Sequence, residues 1–469
     1  MLNNIKEDLE LFNSIVQDLL KDEDQNPVSK PIKPEDIGFN LDLTLREEPA
    51  VNEDFKAELR KLVLSTPKTA TNKFFNQLFG GRNSKAVLGD LLAVMLNNSM
   101  YTYKVAGPQV GVEMEIISSI CNLVGYDEKA GGTIPTGGSM SNFMAMVMAR
   151  DAFDPDTRFT GMNTSMVAYT SENSHYSIAK AASFIGMGRD NLRFIPSDSE
   201  GKMLSDKLEE QINLDIENGL KPFFVNATTG TTVLGAFDPL LEIHEICKKH
   251  NIWLHADGAY CGSVVFSDKY RHLISGIEKC DSFSLNAHKM LNTPLTCSVI
   301  VVKNQAHLLN SFDNDADYLY QSEDDIFNPG RTSFQCGRRN DSLKFWTLWK
   351  SFGTKGLSNM VEKQFELADI AREYVRNNSN YTLYSFNDSI SICFNYKGLD
   401  AAALCNALNQ DQQTMVGFGA FQDDKFIRLI TINPNNSADD ILEFFKTLES
   451  YVEKNEEFLP KINSPRSAE

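Results

Sequence analysis

At 469 residues, with 42% hydrophobic and 23% charged side chains, the chain has the composition of a soluble globular protein and the length of roughly two to three domains. A net charge of −18 argues against a general binder of nucleic acid or anionic membrane, although a local basic pocket can still take an anionic substrate. Eight scattered cysteines without a C-x-x-C pair read as free thiols of a reducing cytoplasm, and no leader-like start or membrane-length apolar run is found.

Ile5, Leu9, Phe12, Val16 and Leu19 recur at helical spacing, which predicts an amphipathic first helix; the polar, proline-bearing 22–34 segment reads as a linker. Phe74–Gly81 is apolar and then glycine-rich, like a turn entering a pocket. Helical patterns follow over 85–97 and 112–124. From Gly131 strands and helices alternate: helices over 139–153, 176–187, 204–218 and 240–250, and strands over 165–171, 191–196, 222–227, 252–257, 282–285 and 297–302. That alternation predicts an α/β chain with a mostly parallel central sheet. Beyond Asp341 a long helix to about Val375 leads to a small α+β unit, with strands over 389–396, 415–421 and 426–432 and helices over 401–408 and 438–452. The expected organisation is an N-terminal helical segment (1–90), a large domain (91–345) and a small C-terminal domain (346–469) with a frayed tail from Asn455.

Two strand ends carry the chemistry. The run Ile252–Asp257 ends in a carboxylate, and Asp281–Lys289 runs an alternating strand into a His-Lys pair on a turn. Ligands of open α/β sheets bind at the carboxyl ends of strands, so Asp257 and Lys289 can face one bound molecule. A lysine amine forms a Schiff base with an aldehyde, and a carboxylate beside a pyridine nitrogen keeps it protonated, so the pair points to pyridoxal phosphate. A bare His-Lys dipeptide is more often a loop lysine, and the ordered companions of the pair carry the weight. Gly137-Gly-Ser-Met-Ser-Asn142 opens a helix whose free N–H groups suit a phosphate. His175 stands at a strand-to-helix junction, where an imidazole can lie on an aromatic ring, and Thr228 ends another strand. The histidines of His244-Glu-Ile-Cys-Lys-Lys-His250 fall on different helical faces, so no metal site is expected there.

The ordered set Gly137-Gly-Ser139, Ser171-Glu-Asn-Ser-His-Tyr-Ser177, Asn226-Ala-Thr-Thr-Gly-Thr-Thr232, Leu234-Gly-Ala-Phe-Asp-Pro239, His255-Ala-Asp-Gly-Ala259, Asn286-Ala-His-Lys289 and Gln335-Cys-Gly-Arg338 resembles the group II pyridoxal-phosphate decarboxylases. Among these it is most similar to the glutamate, aspartate and cysteine-sulfinate enzymes, over about residues 70–450. The resemblance implies a fold-type-I, aminotransferase-like architecture and a homodimer with active sites at the subunit interface. It makes Lys289 the Schiff-base lysine, Asp257 the pyridinium partner and His175 the stacking residue, with Ala259 on the opposite ring face. Gly138, Ser139 and His288 serve the phosphate, and Thr228 bonds a ring substituent. Arg428 matches a substrate-carboxylate arginine and Gln77 a substrate-contacting glutamine. Phe79 and Ser99 stand where glutamate enzymes usually have a small polar residue and an asparagine, which favours the shorter acids aspartate and cysteine sulfinate.

The chain also departs from the family pattern. Lys104 replaces an acid, Gly258 an alanine and Ala287 a proline, and in the loop 320–330 the place of a proton-donating tyrosine is taken by Ile326 and Phe327. His175, Tyr320 or water are then the candidate proton donors, or the intermediate reacts with oxygen and leaves as an aldehyde. The competing readings are a glutamate, diaminobutyrate or aromatic amino acid decarboxylase, decarboxylation coupled to oxidation, and a pyridoxal-phosphate-binding dimeric scaffold without activity.

Overall fold

The computed structural model describes residues 5–313, 327–455, 457 and 459–461. Its strands are β1 (Phe74–Phe75), β2 (Gly131–Thr133), β3 (Met166–Ser171), β4 (Leu192–Ile195), β5 (Lys221–Thr228), β6 (Trp253–Gly258), β7 (Ser282–Asn286), β8 (Ser298–Val302), β9 (Tyr381–Leu383), β10 (Ser391–Tyr396), β11 (Met415–Phe421) and β12 (Asp424–Ile430). The chain divides into two compact units. The larger comprises Arg82–Asp369 with Ser385–Ser391, and the smaller comprises Met1–Gly81, Ile370–Tyr384 and Ile392–Glu469.

In the larger unit the seven strands lie in the order β2-β8-β7-β6-β5-β3-β4. The run from β4 to β7 is parallel, and β8 and β2 add antiparallel pairs at one side. Strands β3, β6, β7 and β8 are buried along their whole length, which is why they read as short apolar runs without a solvent-facing alternation. The helix Gly138–Phe153 packs on β5, β7 and β8. Its Met144, Met146 and Met148 join Ile178, Phe224 and Ile300 in one buried cluster. Burial of such side chains contributes about 1.5–3 kcal/mol each, so this helix is firmly seated with its N-terminus at the sheet's carboxyl ends.

The smaller unit holds a five-stranded sheet in the order β1-β11-β12-β10-β9, with β11 and β12 as a hairpin. Phe394 and Tyr381 of its strands pack with Phe444, Phe445 and Tyr374, of which Tyr374 and Phe445 are stacked, and Glu449 accepts hydrogen bonds from both tyrosine hydroxyls.

Several boundaries differ from expectation. The first helix runs Ile5–Gln25, so the start of the expected linker is helical. Lys68 explains the extension: its ammonium pairs with Asp22 and donates to the Asn26 carbonyl, closing the helix end. Asn52–Ser65 is an additional helix, and the pocket-like turn begins with the short strand β1. Strand β12 starts at Asp424, because the turn after Phe421 is tight. Of the expected frayed tail, residues 456, 458 and 462–469 lie outside the described residues.

One buried ion pair ties the approach to Ser99 into the larger unit. Arg338 pairs with Glu113, both side chains being 3% exposed, and its guanidinium also reaches the Met100 carbonyl at 3.1 Å and Thr133 Oγ1 at 3.3 Å. The Arg338 amide donates to Ser99 Oγ at 3.3 Å. Removing one partner of such a pair leaves a buried charge uncompensated, so Glu113→Ala is expected to destabilise by about 3–5 kcal/mol in denaturant unfolding. A loss below about 1 kcal/mol, the range of an exposed pair, would contradict this account.

Candidate active site

The site is built where β5, β6 and β7 end side by side. Thr228 on β5 pairs in register with Asp257 on β6, and Asp257 with Ser284 on β7. Strand β7 finishes at Asn286, and a turn closed by the Lys289 N–H on the Asn286 carbonyl at 3.1 Å delivers Lys289 at the same edge. The side chain of Lys289 is partly buried, and its Nζ lies 5.9 Å from the ring centre of Tyr260. Burial holds its pKa below the ordinary lysine value, and the Asp257 carboxylate opposes that shift. The neutral amine is the form that attacks a carbonyl, and burial favours that form.

Asp257 is 3% exposed and each of its oxygens has a donor. The Ala259 N–H reaches Oδ1 at 3.0 Å, and Asn142 Nδ2 reaches Oδ2 at 2.8 Å. The first contact also fixes Ala259, which is partly buried. Thr228 is held by Asp238, whose carboxylate accepts the Thr228 and Met203 N–H groups at 2.7 Å each. Burial pushes the Asp238 carboxyl up to about 7 against those two bonds. The expected departure at Gly258 has a packing cause: a Cβ there would sit 2.5 Å from both the Phe283 ring and the Ser284 carbonyl.

A nest of donors lies at the start of the helix Gly138–Phe153. Gly137 has φ +95°, and the first intrahelical bonds begin at Met140 and Ser141, so the N–H groups of Gly138 and Ser139 are free of the helix ladder. Gly138 approaches Asn286 and Ala259 so closely that a Cβ would lie 2.9 Å from Asn286 Nδ2 and 3.1 Å from the Ala259 methyl. His288 is buried and its Nδ1 lies 2.9 Å from both the Cys297 N–H and the Cys297 carbonyl. Burial lowers its pKa to about 4, so the imidazole is neutral.

His175 is partly buried, with Nδ1 2.8 Å from Ser177 Oγ and 3.2 Å from the Ser177 N–H. Burial lowers its pKa, with Asp257 raising it and Lys289 lowering it further, which places the ring in the field of both groups. The structure thus brings Lys289, Asp257, His175, Thr228, Ala259, Gly138, Ser139 and His288 into one unit. Ser99 belongs to the same unit. Gln77, Phe79 and Arg428 belong to the smaller unit, where Arg428 on β12 points Nη2 at the Asn76 carbonyl at 3.4 Å. Gln77 is exposed, and Phe79 packs against Phe74 with ring centres 6.0 Å apart. Tyr320 and Ile326 lie outside the described residues, whereas Phe327 meets Tyr103 edge-on at 5.6 Å.

Sequence reasoning missed Asn142, Ser177 and His255 as parts of this site. The signal was present at Asn142, an amide immediately before the apolar run 143–149, where a polar side chain needs a buried partner. For His255 the strand pattern hid the role, since a histidine in a fully buried strand reads as core.

Pyridoxal phosphate fits this set. A carboxylate with both oxygens held by donors, a lysine of suppressed pKa, and a helix start whose Gly138 and Ser139 N–H groups are free of the helix ladder, packed too closely for a Cβ at Gly138, are the three fixed points that cofactor requires. The comparisons agree. The human cysteine sulfinic acid decarboxylase is 38% identical over 368 residues, 77% of this chain and 74% of that protein. The acidic amino acid decarboxylase GADL1 of Bos taurus is 34% identical over 432 residues, 87% of this chain and 83% of that protein. The crystal structure of mouse CSAD matches with a TM-score of 0.88 at 31% identity, covering 94% of this chain and 98% of that one. The Oryza sativa TDC with PLP and tryptamine matches with a TM-score of 0.89 at 22% identity over 97% of this chain and 99% of that one, which shows the fold alone. The family model for the pyridoxal-dependent decarboxylase conserved domain matches residues 34–397, and the chain belongs to that family, as a fold-type-I pyridoxal-phosphate-dependent amino acid decarboxylase.

Proposed function

We propose that this enzyme removes the α-carboxylate of a short acidic amino acid, cysteine sulfinate or aspartate, giving hypotaurine or β-alanine. The observation that carries the reading is the pairing of Lys289 and Asp257 at adjacent parallel strand ends beside the Gly138 helix start. Relatives named for cysteine sulfinic acid and acidic amino acids supply the substrate class. When bound, pyridoxal phosphate supplies a ring that takes up the electron pair of the breaking Cα–carboxylate bond. Lys289 would be the nucleophile that anchors the cofactor. Asp257, held by Asn142 and the Ala259 N–H, would pair with the pyridine nitrogen. His175 and Ala259 would confine the ring, and Thr228 would bond a ring substituent. The N–H groups of Gly138 and Ser139, with His288, hold the phosphate.

Arg428 recognises the distal acid through its planar fork, with Gln77 as a second contact. By the family resemblance Phe79 and Ser99 favour the shorter chain, and one methylene is worth about 1–3 kcal/mol in discrimination, so glutamate is the poorer substrate. His175 is the described side chain assigned to returning a proton to the α-carbon. Assembly as a homodimer is supported by the exposed apolar row Leu88, Leu91, Leu92 and Met95 on the helix Ser84–Leu96. Among the described residues no helix is long and apolar enough to cross a membrane, and free thiols at all eight cysteines support a cytoplasmic setting.

Separate incubations with cysteine sulfinate, aspartate, glutamate, diaminobutyrate and an aromatic amino acid, read for carbon dioxide, amine and peroxide, test the substrate class. Amine from the two short acids in step with carbon dioxide is expected. Stoichiometric peroxide would replace this reading with decarboxylation coupled to oxidation, for which Phe327 in the loop is the favouring observation. Lys289→Ala should lose both the Schiff-base absorbance of the bound cofactor and turnover; full turnover would sink the assignment. Arg428→Gln should raise KM for cysteine sulfinate by about 10–100-fold, the worth of a charge-assisted bond, and an unchanged KM would remove Arg428 from substrate recognition. Sedimentation should return twice the 52.6 kDa chain mass, and a single-chain mass at micromolar concentration would contradict the dimer.

A further inference from the structure

A continuous hydrogen-bonded path joins Asp257 and His175 through Asn142 and Ser177 and runs on through His255 and Ser282 to Trp253, the last three having been given no role. Trp253 Nε1 lies 3.0 Å from Ser282 Oγ, and Ser282 Oγ lies 2.9 Å from His255 Nδ1. His255 Nε2 lies 3.1 Å from Asn142 Oδ1. Asn142 Nδ2 then reaches Asp257 Oδ2 at 2.8 Å and Ser177 Oγ at 3.0 Å, and Ser177 Oγ lies 2.8 Å from His175 Nδ1. Trp253, Ser282, His255, Asn142, Ser177 and Asp257 are all buried.

Donor and acceptor chemistry gives this path one direction. Indole nitrogen only donates, so Ser282 Oγ accepts from Trp253 and keeps its own proton, which it can give to His255 Nδ1. A His255 ring accepting at Nδ1 carries its proton on Nε2, which donates to Asn142 Oδ1. The other end imposes the same assignment. A carboxylate only accepts, so Asn142 must turn Nδ2 to Asp257, which leaves Oδ1 for His255 and requires Nε2–H there. The remaining Asn142 proton goes to Ser177 Oγ, whose hydroxyl proton is then aimed at His175 Nδ1. The backbone N–H of Ser177 also donates to that nitrogen. His175 is left with its proton on Nε2.

The geometry points to Asn142 as a positioning residue that, oriented by His255, holds the Asp257 carboxylate in place and sets His175 in its Nε2–H form. One amide thereby serves two sides of the cofactor site: the group facing the ring nitrogen and the group stacked on the ring. The inference rests on the assignment of Asp257 and His175 made above. A reversed amide would set Oδ1 against the carboxylate and break both outgoing bonds, so the orientation of a single side chain decides both contacts. His255 touches neither substrate nor cofactor in this arrangement and acts through Asn142.

The test uses holoenzyme with ¹⁵N-labelled imidazoles, whose nitrogen shifts report each tautomer, with assignments from His175→Gln and His255→Gln. Neutral Nε2–H forms at both positions near pH 7 are expected; an Nδ1–H or charged ring at either would overturn the proposal, and this reading needs no substitution at Asn142. In parallel, Asn142→Leu should weaken pyridoxal phosphate binding to apoenzyme about tenfold or more and lower kcat with KM within about threefold. His255→Leu should show the same pattern in milder form, and His255→Gln, whose amide can still donate to Asn142, should restore most of it. Equal cofactor affinity in wild type and Asn142→Leu, or equal behaviour of His255→Leu and His255→Gln, would reduce Asn142 to a packing residue. Either failure leaves cofactor absorbance anchored on Lys289 intact, whereas failure of the site assignment itself would abolish the dependence of that absorbance on Lys289.

Discussion

The parallel pairing of β6 and β7 is the constraint on which the site depends. Parallel neighbours end on the same side of a sheet, so a carboxylate at the end of one and a lysine on the turn after the other must share an edge. Neither group is comfortable there in isolation. A buried carboxylate needs donors, which Asn142 and the Ala259 N–H provide, and a buried amine tends to lose its proton, which suits a nucleophile. The fold therefore does two things with one edge: it brings the two groups to the same side of the sheet, and it supplies donors to the carboxylate while burial lowers the lysine's pKa.

Much of this was legible in the chain. Lys289 and Asp257 announced themselves because polar residues interrupt apolar strands at their ends, and the glycine pair before a methionine-rich helix marked the anion cradle. Six of the seven strands followed from the alternation of strand and helix patterns, with blurred ends where fraying and turns break the periodicity, whereas the three-residue strand β2 and the helix Asn52–Ser65 were not anticipated. The departure at Gly258 was visible as a substitution, but its cause, the Phe283 ring and the Ser284 carbonyl at 2.5 Å from any Cβ, is a matter of packing between neighbouring strands.

What stayed hidden has a common physical origin. The path from Trp253 to His175 joins residues more than a hundred positions apart in places, as with Asn142 and Asp257, and each member satisfies an ordinary local pattern. Asn142 resembles a tolerated polar residue in a helix, Ser282 a strand residue and His255 a core histidine. Only the sheet register brings them within hydrogen-bond distance. The same holds for Lys68, whose role in closing the first helix at Asp22 and Asn26 cannot be read from its own neighbours.

The central claim is that Lys289 is the residue that holds the cofactor carbonyl. Borohydride reduction of the holoenzyme followed by peptide mass mapping tests it most directly. A reduced pyridoxyl adduct on the peptide carrying Lys289, in equal amount to the enzyme chains, is the predicted result. An adduct on a different lysine, or cofactor released entirely from reduced protein, would contradict the account.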